Sequence, residues 1–156
     1  MISTHELFNQ IRIILTDPES EVTVKRFEDT DNEQELNFYA LAEDRYYYAR
    51  VPREVDYPYV TMTGINSEYN LTIGDLLKWE DFEDMRFWTH GYTPQTVDNI
   101  SQVIAANFHK QRIVTDNFVT PIFLRSSYSP PYQIDPSTDD SLLIGYVGFK
   151  VQASRR

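Results

Sequence analysis

Three histidines are present, His5, His90 and His109, and none stands at a ligand-pair spacing from another histidine or a carboxylate. A metal centre needs several such groups converging on one point, so no metal ligand is expected. The chain has no cysteine, which removes thiolate metal sites and disulfides together. Two carboxylate pairs, Glu80 with Asp84 and Asp139 with Asp140, have the composition that glycosidic cleavage demands of its acid and base. In a chain with 24 acidic residues such pairs arise from composition alone, and they point to no particular cleft. There is no G-x-S-x-G elbow, no phosphate-cradling G-x-x-x-x-G-K-[ST] loop and no G-x-G-x-x-G, and five glycines leave little material for such loops. The expectation is a protein with no catalytic residue and no cofactor.

The remaining candidates are binding groups. Eleven tyrosines, Tyr46 to Tyr48 and the pair Tyr57 and Tyr59 among them, could stack on sugars or bases, and they suit strand faces and subunit contacts equally well. Two acidic blocks stand out, Glu28 to Glu35 with no lysine or arginine, and Asp75 to Asp84 relieved only by Lys78. Each reads either as a solvated face or as a surface that repels another polyanion. The formal charge of −10 argues against gripping a nucleic-acid backbone, because that binding depends on lysine and arginine neutralising phosphate. Two Asn-x-Ser/Thr triplets, at Asn70 and Asn99, read as chance occurrences, the second lying inside a predicted helix.

The elements that must position these groups follow from periodicity. At 156 residues the chain is expected to be a single domain, 1–156, with 17–50 as an extended or inserted region. Ser3, Thr4 and Glu6 form a capping arrangement for a helix carrying Leu7, Phe8, Ile11, Ile14 and Leu15, stopped by Asp17-Pro18. Residues 21–27 alternate weakly, 28–35 reads as a loop, and 36–51 is ambiguous between a helix start and an extended second half. Strands are expected over 57–65, with Pro58 at an edge or a start, over 84–92, over 117–128 and over 142–153. In the second of these, Met85, Phe87 and Thr89 fall on one side and Arg86, Trp88 and His90 on the other. The third is apolar on both sides in its first half and is expected to be covered twice.

Thr93 as cap and Pro94 at the first helical position begin a helix whose stripe is Val97, Ile100, Val103, Ile104 and Phe108, with Asp98, Asn99, Gln102 and Lys110 on the wet side. Residues 75–84 read as a short amphipathic turn and 129–140 as an exposed loop. The fold class expected is α+β, a mostly antiparallel sheet of about four strands flanked by an N-terminal helix and one central amphipathic helix. No apolar stretch approaches the roughly 20 residues that span a bilayer, and no secretory layout opens the chain, so a soluble, non-secreted protein without a membrane partner is expected.

This order of elements resembles the tail-completion or tail-terminator proteins of long-tailed bacteriophages. The resemblance is carried by the N-terminal helix, the Val51-Pro52 to Tyr57-Pro58-Tyr59-Val60 segment entering a strand, the Phe87-Trp88 strand running into a single amphipathic helix, and two closing strands. It covers residues 2–16 and 51–153 through patterns of residue type. It implies an α+β fold with a sheet flanked by helices and a non-enzymatic virion protein of the tail or neck, assembled in the host cytoplasm. It also implies a homo-oligomeric, hexameric ring that caps the tail tube protein and meets the head–tail connector proteins, with DNA passing through unbound.

On that reading the candidate acidic lumen is Glu28, Asp29, Asp31, Glu33, Glu35, Asp75, Glu80, Asp81, Glu83 and Asp84. The candidate subunit interface is Tyr57, Tyr59, Trp79, Trp88, Tyr128 and Tyr132. The chain departs from the family pattern over 17–50 and 75–84, which leaves open a head-completion or connector subunit. A monomeric carbohydrate-binding module is the competing class.

Overall fold

The computed structural model describes residues 4–27, 33–48, 50–63, 66–71, 78–133 and 142–155. In chain order these form α1 (Thr4–Leu15), β1 (Val24–Phe27), β2 (Glu33–Leu36), α2 (Phe38–Ala42), β3 (Tyr46–Tyr48), β4 (Tyr59–Thr63), β5 (Asn66–Leu71), β6 (Lys78–Gly91), α3 (Pro94–Phe108), β7 (Ile113–Val114), β8 (Phe118–Gln133) and β9 (Leu143–Arg155). The class is α+β as expected, but the main sheet has seven strands, in the order β3-β4-β6-β9-β8-β7 with β5 also on β6. Every pairing in it is antiparallel except β3 with β4.

The expected count of about four strands recovered β4, β6, β8 and β9, which carry the strongest alternation. β5 escaped because Asn66-Ser67-Glu68-Tyr69-Asn70-Leu71 is polar and is held by pairing with the first half of β6. β7 is two residues long.

Three long strands dominate because their partners extend them beyond their local signals. β6 runs from Lys78, so the supposed turn at 75–84 is strand from 78 onward, registered against both β5 and β9. β8 continues through Pro130 and Pro131, where a loop was expected, while residues 134–140 of that loop lie outside the described residues. Among the described residues β8 has a partner on only one side there, so the missing proline N–H groups cost no ladder bond, and the register shifts between Ser129 and Tyr132. Leu124 is registered with Lys150, on the sheet face away from α3, and is 42% exposed, so the double cover expected for this strand does not reach it.

α3 crosses one face of the sheet. Thr93 Oγ1 accepts from the Thr96 N–H at 3.2 Å and Pro94 opens the helix, as the sequence predicts. Val97, Ile100, Val103, Ile104 and Phe108 are all buried against β6, β8 and β9. Asn99, assigned to the wet side, is 6% exposed, because α1, α2 and β1 pack onto α3 from its second side.

α1 buries Leu7, Ile11 and Leu15 at four-residue steps and presents Ile13 to solvent. Arg12 ties it down by donating to the backbone carbonyls of Asp44 and Tyr46. Glu6 Oε1 accepts from Asn117 Nδ2 at 3.0 Å, while Ser3 lies outside the described residues. The ambiguous stretch 36–51 is both things in turn: α2, capped by Asn37 Oδ1 on the Ala40 N–H at 2.8 Å, and then β3. Between the layers, aromatic rings run from Phe8 through Tyr46 and Phe87 to Phe108 and Phe149.

Candidate functional site

Alternation along a strand sends neighbouring side chains to opposite faces, and the register fixes which ones meet. Under α3 lie Tyr46, Val60, Met62, Met85, Phe87, Thr89, Val147, Phe149 and Val151, all buried. The other face has no described element packed over it. Across it, Tyr47, Thr61, Trp88 and Tyr146 form one row, and Tyr59, His90, Ile144 and Tyr132 form the next. Arg86 belongs to a third row with Thr63 and Gly148.

These side chains touch one another. The Tyr59 ring lies on the His90 imidazole, centroids 4.5 Å apart and planes 11° from parallel. Tyr57 meets Tyr59 at 5.2 Å and Tyr92 at 4.8 Å, and Tyr47 meets Tyr59 edge-on at 6.1 Å. Trp88 packs on Tyr146 at 4.7 Å, and the Arg86 guanidinium sits 4.4 Å from the Tyr146 centroid and 5.7 Å from that of Trp88. Arg86 is aimed by Asp84, whose Oδ1 accepts from its Nε at 2.8 Å. Asp84 sits at φ 59° in the bulge where β6 shifts register against β9, an irregularity that bends the strand and re-aims its side chains. Burial holds the His90 imidazole below its usual pKa. Burial also raises the Tyr59 hydroxyl.

Of the interface candidates, Tyr57, Tyr59, Trp88 and Tyr132 belong to this face or its rim. Tyr128 does not. It is registered with buried Val147, and its hydroxyl donates to Asp98 on α3, clasping the helix to β8. Trp79 is in β6, with its side chain outside the described set. The sequence reading left Tyr47, Arg86, His90, Tyr92 and Tyr146 out of the candidate set. The period-two split had already put Arg86, Trp88 and His90 on one side, but only strand register joins them to Tyr47 and Tyr146.

The acidic candidates within the described residues belong to two strands, β2 and β6. Glu28, Asp29, Asp31 and Asp75 lie outside the described residues, and Glu33, Glu80, Asp81 and Glu83 stand in strands with undescribed side chains. Glu33 and Glu35 are in β2, so the loop expected over 28–35 is strand at that end; Glu35 is exposed, and Asp84 is engaged with Arg86. Among the described residues no three histidines, carboxylates or thiols gather as a metal site. His5 is exposed beside Phe8, and His109 Nδ1 accepts from the Arg125 N–H at 3.1 Å, which places its ring proton on Nε2. An open groove of ≈ 610 Å³ runs between the C-terminal ends of α1 and α3, lined by Ile13, Asp17, Glu19, Glu21 and Arg112 among others. No histidine lines it. No helix of the described residues is long and apolar enough to cross a membrane. Asn99 and Ser101, at 6% and 2% exposure, are too buried to be a glycan acceptor.

No family model matches the chain, and no curated protein matches it in sequence. Among solved structures it is similar in fold to a chain of the virion of a native gene transfer agent particle. That likeness has a TM-score of 0.61 and 9% sequence identity, over 74% of this chain and 83% of the other.

Proposed function

We propose that this chain is a virion structural protein, a tail-terminator-like subunit that assembles as a ring, caps the tail tube of a phage-like particle and joins it to the head. The observation that carries the reading is the fold shared with a chain of a gene transfer agent virion. The aromatic sheet face, over which no described element packs, supports it, because tyrosine, tryptophan and arginine are the residues enriched where protein surfaces are buried by partners. The work of such a subunit is positional. It supplies shape, contact area and charge, and holds no group that bonds to a substrate. Its partners on this reading are further copies of itself, a tail tube protein and head–tail connector proteins. A passage lined by acidic residues such as Glu35 lets DNA move through without adhering.

Electron microscopy of the purified chain, alone and mixed with tail tubes, tests the role. Rings of fixed copy number seated on tube ends are expected, and particles lacking the protein should accumulate unjoined heads and tails. Monomers under every condition, with joined particles formed in its absence, would overturn the reading. A glycan-binding module draws on the same aromatic face. There, however, Tyr59 spends a ring face on His90 and Trp88 packs on Tyr146, which reduces the free planes a sugar would stack on.

A further inference from the structure

We infer that His90 is an acid-operated latch on the open sheet face: uncharged, its imidazole lies on the Tyr59 ring and closes the aromatic row, and protonated, it turns off that ring into solvent. The latch belongs to the single chain, and its consequence for assembly rests on the role proposed above.

The packing around the ring suits the uncharged form. His90 and Tyr59 stack at 4.5 Å, 11° from parallel, and Tyr57 at 5.2 Å and Tyr47 at 6.1 Å pack on Tyr59 in turn. One face of the imidazole is thereby closed to water, and a charged ring needs either that water or a counter-ion. The surrounding elements supply no counter-ion. β4 brings Tyr59 and Thr61, whose Oγ1 is 3.5 Å from His90 Nε2 and carries no charge. β9 brings Ile144, with Tyr132 of β8 beyond it, and β6 itself brings Trp88. Tyr57 and Tyr92 meet at the rim. Arg86 is two rows along β6 and bound to Asp84, and Arg45, which donates from Nε to the Pro58 carbonyl at 2.8 Å, pairs with Glu43. Among the described residues no carboxylate bonds to His90. Burial is the one cause acting on its proton, and it lowers the pKa. Proton uptake therefore favours the ring turned outward, and no described element packs over the face to prevent that turn.

Between copies the sign is distinctive. Acid removes carboxylate charge from a chain of −10, so copies repel less as pH falls towards the isoelectric point near 4.6, and a contact through any other surface strengthens. A contact that buries the His90 row weakens instead, because it traps an imidazolium without a counter-ion.

NMR of the full-length chain, following the His90 ring protons from about pH 8 to about pH 5, reads the latch directly. The upfield shift that the Tyr59 ring imposes should vanish as His90 takes its proton, below about pH 6.5. Tyr59→Leu should lack that shift throughout. Analytical ultracentrifugation reads the consequence. His90→Phe keeps an aromatic ring and takes no proton, so its self-affinity should hold or rise with acid. Relative to it, the wild type should lose about three- to tenfold between about pH 7.5 and about pH 5.5. A shift that survives protonation, or a His90 pKa at or above about 6.5, shows the Tyr59 face holding the imidazolium and overturns the latch. If both proteins associate with the same pH dependence, the consequence for assembly falls while rings on tail tubes still uphold the role. A chain monomeric at every pH, without rings, sinks the role and leaves the latch to be decided by the ring protons.

Discussion

Single side chains in this protein are settled by where their polar atoms end up. The Tyr128 hydroxyl, half exposed, is pushed up to about 12 by burial and by its bond to Asp98. A tyrosine whose pKa is raised on folding contributes its full share below the unfolded value near 10, and loses it as pH climbs through the folded value. Thermal stability should therefore fall between those two values, and Tyr128→Phe should fall less steeply while starting lower by at most about 1 kcal/mol. Melting curves of both proteins across that range check the sign. Asn99 poses the opposite case. Its Nδ2 has no partner among the described residues at 6% exposure, so the donor goes unmet there. Replacing it with leucine, similar in volume, should be neutral or stabilising by up to about 1 kcal/mol in urea unfolding. The sequence hid this residue's burial because its polarity argued for solvent and only the packing of α1, α2 and β1 reverses that.

Elements were legible wherever one local rule decided them. The start of α3 was readable to the residue, since Thr93 and Pro94 act through bonds within a single turn. Thr93→Ala should cost about 1 kcal/mol, measured by chemical denaturation. The two sides of β6 from Met85 to His90 were readable too, because period two needs no knowledge of partners. Where pairing decides, the sequence was mute. The polar strand β5, the early part of β6 and the proline-bearing end of β8 exist through their neighbours' hydrogen bonds. The aromatic face is illegible for the same reason, since Tyr47 and Tyr146 reach Trp88 only through the register of four strands. Close approach matters as well. A Cβ on Gly145 would stand 3.0 Å from Val97 Cγ1 and 3.1 Å from the Ser129 carbonyl oxygen, so Gly145→Ala should lift α3 off the sheet at a cost of about 1–3 kcal/mol, visible as a lower urea midpoint.

At the scale of the whole molecule, charge governs behaviour in solution. With an isoelectric point near 4.6 the protein should be least soluble around that pH and should disperse as carboxylates ionise above it. Turbidity against pH reads this directly. The sheet's layout has a further consequence, for biosynthesis. β9, the last strand in this sequence, lies between β6 and β8 in the middle of the sheet. A nascent chain therefore cannot join the two halves of its sheet until β9 has left the ribosome. Until then β6 and β8 each lack a neighbour, and their bare apolar strips are bait for holdase chaperones. A premature stop before residue 143 would leave the two halves of the sheet without the strand that joins them.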